Sequence, residues 1–295
     1  MITNFTKTDL KKTKNLGLLI LILYLSLFNL FVIKATPEVI FIQFFVLILI
    51  YKKLGAKTFL KEWVPFIGLV VLYEFLRGIA DDMSPFFNQT LFLIHQWESA
   101  LINPLPTVFL QNMLLNNVLV LNISLFFYSS FFYYSFLVAF LIWLYKRNLF
   151  KEYCKKFLII SYIGLFFYFV FPTAPPWYVQ KTQEINIQRP IYHNTIMGSF
   201  SKFSIYKYLV YGNPVAAFPS LHTAWTAFTS FFLILKFGRK YLLSLVVPMM
   251  VAFSVVLTGE HYLLDIIAGF ALGFIGAFSS FSFPNLTHIA QKKEY

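Results

Sequence analysis

The sequence predicts an all-α, polytopic membrane protein with about eight transmembrane helices and short helices lying in the membrane interface. Of its 295 residues, 59% are hydrophobic and 21% are aromatic, whereas only 12% are charged. A soluble domain of this size cannot bury so much apolar surface. The apolar residues form continuous runs and do not alternate with polar ones, so helices are favoured over a β-barrel.

Eight apolar runs, taken in chain order, are predicted to span the membrane. They are residues 16–33, 38–51, 63–79, 118–145, 157–171, 215–235, 241–258 and 263–281. The second run is short against the about 20 residues that a perpendicular transmembrane helix needs. The first run lacks a small-residue cleavage site, so we interpret it as a retained span and not as a signal peptide. We divide the chain into residues 1–62, a tail with two accessory spans, and residues 63–295, the membrane core.

Residues 80–117 are predicted to form helices that lie in the interface. This segment contains no Lys or Arg, and prolines, amides and Trp97 interrupt its moderate apolarity. Such a composition is typical of helices that lie on a membrane rather than cross it. Its role is left open between a lid, a platform for lipid entry and simple packing.

The net charge of +12 has two interpretations, a nucleic-acid partner or membrane topology. The basic residues cluster between the apolar runs, which favours topology, and we expect no nucleic-acid partner. With eight spans, the positive-inside rule places both termini in the cytoplasm, together with the loops at residues 52–61, 146–156 and 236–240. The opposite, extracytoplasmic or lumenal, face then receives residues 34–37, 80–117, 173–214 and 259–262.

Cysteine and carboxylate spacing exclude some classes of site. Cys154 is the only cysteine, so there is no intrachain disulfide and no cysteine-rich metal site. Neither a His-x-His pair nor a carboxylate cluster with the spacing of metal ligands is present, and Asp81–Asp82 alone does not make one. We therefore expect neither a metal ion nor another cofactor.

Two histidine motifs, each at the edge of a long apolar run, carry the candidate chemistry. His222 ends the sequence Phe-Pro-Ser-Leu-His, and His261 lies in Gly-Glu-His-Tyr-Leu-Leu-Asp, which ends at Asp265. A spacing of four residues predicts that His261 and Asp265 share one helix face. The carboxylate can then accept from one ring nitrogen and leave the other to attack a substrate. A second imidazole on a neighbouring helix can protonate the leaving group.

The motifs Pro219-Ser220-x-His222 and His261-x-x-x-Asp265 resemble the second and third signature motifs of the type-2 phosphatidic acid phosphatase superfamily. The loop Pro-Thr-Ala-Pro-Pro-Trp-Tyr at residues 172–178 narrows the resemblance to the inositol phosphorylceramide synthase-like branch. The resemblance covers about residues 60–283. It implies a six-helix phosphatase-like core, a phosphohistidine on His261 that Asp265 stabilises, and protonation of the leaving oxygen by His222, with no metal ion.

The sequence also predicts which groups bind the substrate's phosphate. Ser220 precedes a predicted helix, whose N-terminus favours anions, so we expect it to offer its hydroxyl and backbone N–H. Val255 stands where the superfamily's third motif has an arginine, and Arg77 of the pattern Tyr73-Glu74-x-x-Arg77 is the first candidate to replace it. Glu74 and Arg77 can equally form a simple ion pair, and both interpretations stay open.

Arg189 is the second candidate for the phosphate-binding arginine. Lys181 precedes Arg189–Pro190 by seven intervening residues, one more than in the superfamily's first motif. An arginine in a loop can also be merely solvated. Lys181, Tyr73 and Tyr178 of the Pro-rich loop complete the predicted substrate-binding set.

Three functions are compatible with these residues. In the first, a lipid phosphotransferase passes a phospho-head group, such as inositol phosphate, from a phospholipid donor through His261 to a lipid hydroxyl. The Pro-rich loop and the missing arginine favour it. The second is a hydrolase that acts on phosphatidate or a polyprenyl diphosphate with water as the acceptor. The third is a non-enzymatic transporter or scaffold, which predicts that His261→Ala leaves function intact. The expected partners are the two lipids and the bilayer, and the oligomeric state stays open.

Overall fold

The computed structural model describes residues 56–179, 186–192 and 213–279. The predicted spans at residues 16–33 and 38–51, both chain termini and Lys181 lie outside these residues. The α-helices of the described ranges are α1 (Ala56–Gly78), α2 (Phe87–Thr90), α3 (Leu93–Leu101), α4 (Pro106–Leu114), α5 (Val118–Tyr145), α6 (Arg147–Val170), α7 (Pro176–Val179), α8 (Leu221–Phe237), α9 (Val246–Leu257) and α10 (Leu263–Phe278). Short 3-10 helices cover Pro190–Tyr192 and Arg239–Leu245.

The chain divides into two compact units. The smaller comprises Met1–Ile79 and Arg189–Asn213, and the larger comprises Ala80–Gln188 and Pro214–Tyr295. Helix α1 belongs to the smaller unit, and α2 to α10 belong to the larger one. The sequence-based division between residues 62 and 63 stays a prediction.

Helix α1 has a buried face and an exposed face. Its buried residues recur at helical spacing and are Trp63, Phe66, Val70 and Tyr73. Large apolar side chains such as Leu72 and Phe75 are exposed. The predicted start of this helix at residue 63 is wrong, because it begins at Ala56. Lys57 and Lys61 lie in its first turns, where lysine is a good helix former and its charge stays at the surface.

Helix α8 lies at the centre of the larger unit. It contacts α5, α6, α9 and α10. The Trp225 ring stacks on Phe131 of α5 and lies against Phe157 of α6, with ring centroids 5.8 and 4.8 Å apart. The buried Trp225 indole N–H donates to the Ser161 hydroxyl at 2.9 Å, so the polar end of this large side chain is satisfied.

The predicted basic loop at residues 146–156 is helical instead. Lys146 alone joins α5 to α6. Lys156 is buried, and its Nζ donates to the Ala277 carbonyl at 2.8 Å and pairs with Glu152 at 3.2 Å. Lysine and arginine are good helix formers, so a run of charge does not end a helix by itself. The fifth predicted span therefore begins too late.

The sixth predicted span, by contrast, begins too early. Helix α8 starts only after Ser220, which is its N-cap. The chain before it is not helical: it turns at residues 214–215 and bends at 218–219, and the Thr173 N–H donates to the Val215 carbonyl at 2.8 Å. Pro219 has no N–H with which to continue a helix in this segment.

Helices long and apolar enough to cross a membrane are present. By length and composition, three described helices meet that requirement, Val118–Tyr145, Arg147–Val170 and Arg239–Leu257, the last of which joins a 3-10 turn to α9. Leu263–Phe278 is a shorter apolar helix. Large apolar side chains such as Phe126 are exposed on these helices, as lipid contact requires. The chain is therefore an integral membrane protein, and the total of eight spans stays a prediction.

Candidate active site

A close approach of α8 and α10 brings the two histidine motifs together. A Cβ built on Gly269 would lie 2.2 Å from Thr223 Oγ1 and 2.3 Å from the Ser220 carbonyl oxygen. Only glycine permits two helices to approach this closely. The Ser220 N–H also donates to the Asp265 carbonyl at 3.0 Å. The starts of α8 and α10 are thus held against each other.

His222 and His261, 39 residues apart in the chain, are in direct contact. His222 Nδ1 and His261 Nε2 are 2.9 Å apart, and the ring centroids are 5.0 Å apart. One of these nitrogens donates and the other accepts, so a proton lies between the rings. His261 is 3% exposed, whereas His222 is partly exposed. The pair places a potential nucleophile beside a potential acid.

Asp265 lies on the other side of His261. Its Oδ2 is 3.4 Å from His261 Nδ1 and accepts the Tyr262 N–H at 2.9 Å. The prediction that His261 and Asp265 share one helix face is wrong, because α10 begins at Leu263 and His261 precedes it. The contact still forms, because a carboxylate in the first helical turn reaches back to the preceding residues, as in a capping box.

The turn that carries His261 is built on Gly259. This glycine has φ +75°, in the left-handed region, and a Cβ on it would lie 3.0 Å from Ile187 Cγ2. Both the backbone conformation and the closeness of Ile187 therefore disfavour a side chain at this position. The His261 N–H donates to the Val255 carbonyl at 3.2 Å, and the Trp177 N–H donates to the Gly259 carbonyl at 3.0 Å. The Pro-rich loop thus packs against the turn that holds His261.

The Gln111 side chain of α4 forms hydrogen bonds with the residue that precedes this turn by two positions and with a separate segment at Gln188. Its Nε2 donates to the carbonyls of Gln188 and Leu257, at 2.8 and 2.9 Å. Its Oε1 accepts the Gln188 N–H at 2.9 Å. The sequence left the role of residues 80–117 open between a lid, a platform for lipid entry and packing. For Gln111, these internal hydrogen bonds favour packing.

Replacing Gln111 with alanine is expected to lower the free energy of unfolding by about 1–3 kcal/mol. The change removes three hydrogen bonds and leaves the buried Leu257 carbonyl without its amide partner. Asn112→Ala, at an exposed position of the same helix, is the matched control and should change stability by less than about 0.5 kcal/mol. Thermal unfolding of the purified protein in detergent measures the difference. Equal midpoints for the two variants would contradict it.

Aromatic rings of α5 flank His222. The ring centroids of Phe131 and Tyr128 lie 4.3 and 5.2 Å from that of the imidazole. Aromatic faces attract a neighbouring cation, which suits a ring that carries positive charge during proton transfer. The Tyr168 hydroxyl donates to the Pro219 carbonyl at 3.1 Å and so holds the chain that leads into the motif.

Ser220 is engaged within the protein. It is completely buried, and its hydroxyl accepts the Thr223 N–H at 3.5 Å as the N-cap of α8. Its backbone N–H donates to Asp265, which corrects the expectation that this group is available to a phosphate. Tyr178 is partly buried against the apolar cluster that includes Val215, and its contact with substrate stays a prediction.

Tyr73, Arg77 and Arg189 belong to the smaller unit, whereas both motif histidines belong to the larger one. Arg77 pairs with Glu74, with its Nη2 and Nε at 2.8 and 3.0 Å from Oε2. The ion pair that the sequence offers as one interpretation is therefore present. Tyr73 is buried, and Arg189 is partly buried. Phosphate binding by these residues stays a prediction.

Glu98 and His95 of α3 were not among the predicted site residues. Glu98 Oε2 accepts the Leu264 N–H at 2.9 Å, and His95 Nδ1 lies 3.1 Å from the Tyr262 hydroxyl. A signal was present, since Glu98 is the only acidic residue in the segment 83–151. An ionisable side chain in so apolar a stretch is costly and is usually kept for function.

A family profile matches the part of the chain that holds both histidine motifs. The profile of the PAP2 superfamily matches residues 93–278, more than half of the chain. A stretch of 145 residues is 27% identical to a protein of Bacteroides thetaiotaomicron named phosphoinositol dihydroceramide synthase, and it covers 44% of this chain and 45% of that relative. The match thus spans about half the length of the relative. No solved structure matches this chain.

Proposed function

This chain belongs to the PAP2 superfamily, and from this membership we propose that it is a membrane lipid phosphotransferase. It moves a phospho-head group of the inositol phosphate kind from a phospholipid to a lipid hydroxyl, through a phosphohistidine on His261. The membership and the similarity to a phosphoinositol dihydroceramide synthase support an enzyme that acts on lipid phosphates. The observation that carries the proposal is the series Asp265, His261 and His222, with successive contacts of 3.4 and 2.9 Å.

The contacts of this series support a different role for each ring nitrogen. His261 Nδ1 faces Asp265, so Nδ1 carries the ring's proton and its N–H donates a hydrogen bond to the carboxylate, while Nε2 keeps its lone pair. Nε2 in turn faces His222 Nδ1, so the proton between the two rings belongs to His222. His261 is then the nucleophile and His222 is the acid.

Two steps complete the transfer. In the first, His261 Nε2 attacks the donor phosphorus, the bond from phosphorus to the donor's lipid oxygen breaks, and the imidazolium form of His222 protonates that oxygen and becomes neutral. In the second, the acceptor hydroxyl attacks the phosphorus, His222 takes its proton, and the phosphorus–nitrogen bond breaks. Both imidazoles return to their starting forms. The Asp265 carboxylate offsets the positive charge on the phosphorylated ring.

Substrate binding is expected to separate the two rings. Attack needs about 3–3.5 Å between nitrogen and phosphorus, and the leaving oxygen needs its own hydrogen bond of about 2.7–3 Å to the acid. The two nitrogens, 2.9 Å apart here, must then lie on the order of 6 Å apart. We expect the His222 ring to move, because it is partly exposed, whereas His261 is buried against Asp265.

Head-group transfer between defined lipids tests the proposal. Purified protein in vesicles receives phosphatidylinositol labelled in its phosphate, with and without a dihydroceramide, the acceptor that the relative's name suggests. The proposal expects the label in a new phospholipid that forms only when the acceptor is present. Label released as inositol phosphate or inorganic phosphate, with the acceptor present, would instead support the hydrolase. A folded protein that moves no label would contradict both.

Turnover is expected to persist, within about twofold, in millimolar EDTA. The proposed route draws its nucleophile, its acid and its charge stabilisation from protein side chains. The same transfer assay, run before and after chelation and again after Mg²⁺ or Zn²⁺ is restored, measures this. A loss of more than about tenfold that either ion reverses would count against the phosphohistidine route.

A further inference from the structure

Helix α3 presents two buried, ionisable side chains on one face. His95 and Glu98 lie three residues apart, a spacing that aligns side chains along a helix, and they are 7% and 1% exposed. Gln96 and Trp97, between them in the chain, are exposed. Burying a carboxylate is costly unless it is hydrogen-bonded. The hydrogen-bond partners of Glu98 should therefore explain why it is buried.

Those partners belong to the turn that carries His261. Glu98 Oε2 accepts the Leu264 N–H at 2.9 Å, in the first turn of α10. His95 Nδ1 lies 3.1 Å from the Tyr262 hydroxyl. Tyr262 directly follows His261, and Leu264 directly precedes Asp265, the carboxylate that contacts His261. Two side chains of α3 therefore hold the turn on either side of the start of α10.

We infer that Glu98 is a positioning residue for phosphoryl transfer, which fixes the start of α10, and so the aim of Asp265 at His261, by accepting the Leu264 N–H. The inference rests on the proposed function for the reaction it serves. Glu98 acts through Leu264 and does not itself touch the reacting atoms. Removing an outer group that orients a catalytic side chain typically lowers activity by about 10–100-fold.

Electrostatics make this contact dependent on pH. Burial raises the pKa of Glu98 to about 7, the Leu264 N–H opposes that rise, and the charge of Asp265 adds to it. Among the residues that the structure describes, Asp265 and Tyr262, from α10 and the turn before it, interact electrostatically with Glu98, and His95 lies on the same face of its helix and contacts Tyr262. An ionised carboxylate accepts an N–H more strongly than a neutral one, so positioning should improve as pH rises through about 7.

The contribution of Glu98 to stability changes with pH in the opposite direction to its contribution to positioning. Its pKa in the folded chain lies above the ordinary 4.5, so the folded state resists ionisation that the unfolded state accepts. The stability that this group contributes is complete below 4.5 and is lost as pH rises toward about 7. Activity and stability are therefore expected to respond to Glu98 ionisation in opposite directions.

The first measurement does not depend on the proposed function. His261 is 3% exposed, so its modification by diethyl pyrocarbonate, followed by mass spectrometry, should be slow in the wild-type protein. Glu98→Ala should raise that rate about tenfold, because the turn loses its hold on α3. Glu98→Gln, whose amide oxygen still accepts the Leu264 N–H, should stay within about threefold of wild type. Gln96→Ala, on the exposed face of α3, should match wild type.

The second measurement is kcat for head-group transfer per folded protein. Glu98→Ala should lower kcat by about 10–100-fold and leave KM within about threefold. Glu98→Gln should restore most of kcat and make the pH profile near 7 shallower than that of wild type, because the contribution of Glu98 is lost. A purely structural role would move neither the pH profile nor the ratio between kcat and KM in this way.

Several outcomes would overturn the inference. One is a folded Glu98→Ala protein with wild-type kcat and a wild-type rate of His261 modification. Another is a fall in activity that only follows the folded fraction. If Glu98→Ala does not fold, the pH profile of Glu98→Gln decides, and a profile identical to that of wild type contradicts the inference. If the wild-type protein transfers no phosphate, the proposed function fails, and His261 modification alone then decides the role of Glu98.

Discussion

Replacing His261 with alanine is expected to abolish head-group transfer, with a loss in turnover of at least about 10⁴-fold. The buried ring is held by Asp265 on one side and faces His222 on the other, so its Nε2 is the nitrogen poised to attack. Transfer of labelled phosphate between defined lipids measures the loss. Without an acceptor, the wild-type protein should also retain label on His261, which peptide mapping locates.

His222→Ala is the matched contrast, because it removes the acid and keeps the nucleophile. With a lipid alcohol as leaving group, turnover should fall by about 10²–10⁴-fold. With a donor whose leaving group is an acidic phenol, which departs without protonation, the first step of His222→Ala, measured as the initial release of phenol, should recover to within about tenfold of wild type. His261→Ala should release no phenol. A first step that is slowed equally on the two donors in His222→Ala would contradict this division of roles.

Replacing Gly269 with alanine is expected to lower the free energy of unfolding by about 3 kcal/mol or more, the upper end for overpacking. The added Cβ would meet Thr223 Oγ1 at 2.2 Å and the Ser220 carbonyl oxygen at 2.3 Å. The second of these is a backbone atom that cannot rotate away. The starts of α8 and α10 must move apart, which also displaces His222 from His261. A shift of about 1 Å can cost on the order of 10²-fold in activity.

Two other glycines calibrate the effect. Gly68, inside α1, has nothing within 4 Å of a built Cβ, so Gly68→Ala should be neutral or stabilising by up to about 1 kcal/mol. A Cβ on Gly276 would lie 2.3 Å from Ile160 Cγ2, a side-chain atom that can move. The loss of unfolding free energy in Gly276→Ala should therefore lie between those of Gly269→Ala and Gly68→Ala. Thermal unfolding in detergent ranks the three variants. Equal unfolding midpoints for Gly269→Ala and Gly68→Ala would refute the close-packing argument.

The sequence predicted helices best where apolar runs were bounded by polar residues. The fourth predicted span, 118–145, matches α5 because Asn117 caps its start and Lys146 follows its end. The fifth predicted span begins too late, because lysine and arginine are good helix formers and the helix already starts at Arg147. Within it, Lys156 is buried and donates to the Ala277 carbonyl. Charge locates a membrane surface more reliably than it locates a helix end.

At the candidate site, the sequence identified side chains but not all of their contacts. His222, His261 and Asp265 form one connected series, as their residue types and motifs predict. The helix-face argument for His261 and Asp265 failed, because α10 begins after His261. The Ser220 N–H was expected to bind phosphate, yet it bonds to the Asp265 carbonyl, a contact between two segments distant in the chain.

What the sequence by itself determined is that this chain is a helical membrane protein with two histidines and one aspartate as the candidates for its chemistry. Those properties follow from the length of apolar runs and from residue identity, which are local. Only the tertiary structure decided which ring nitrogen faces which partner, and that Glu98 of α3 accepts the Leu264 N–H at the start of α10. These depend on how closely helices approach, as at Gly269, where the absence of a side chain sets the distance between α8 and α10.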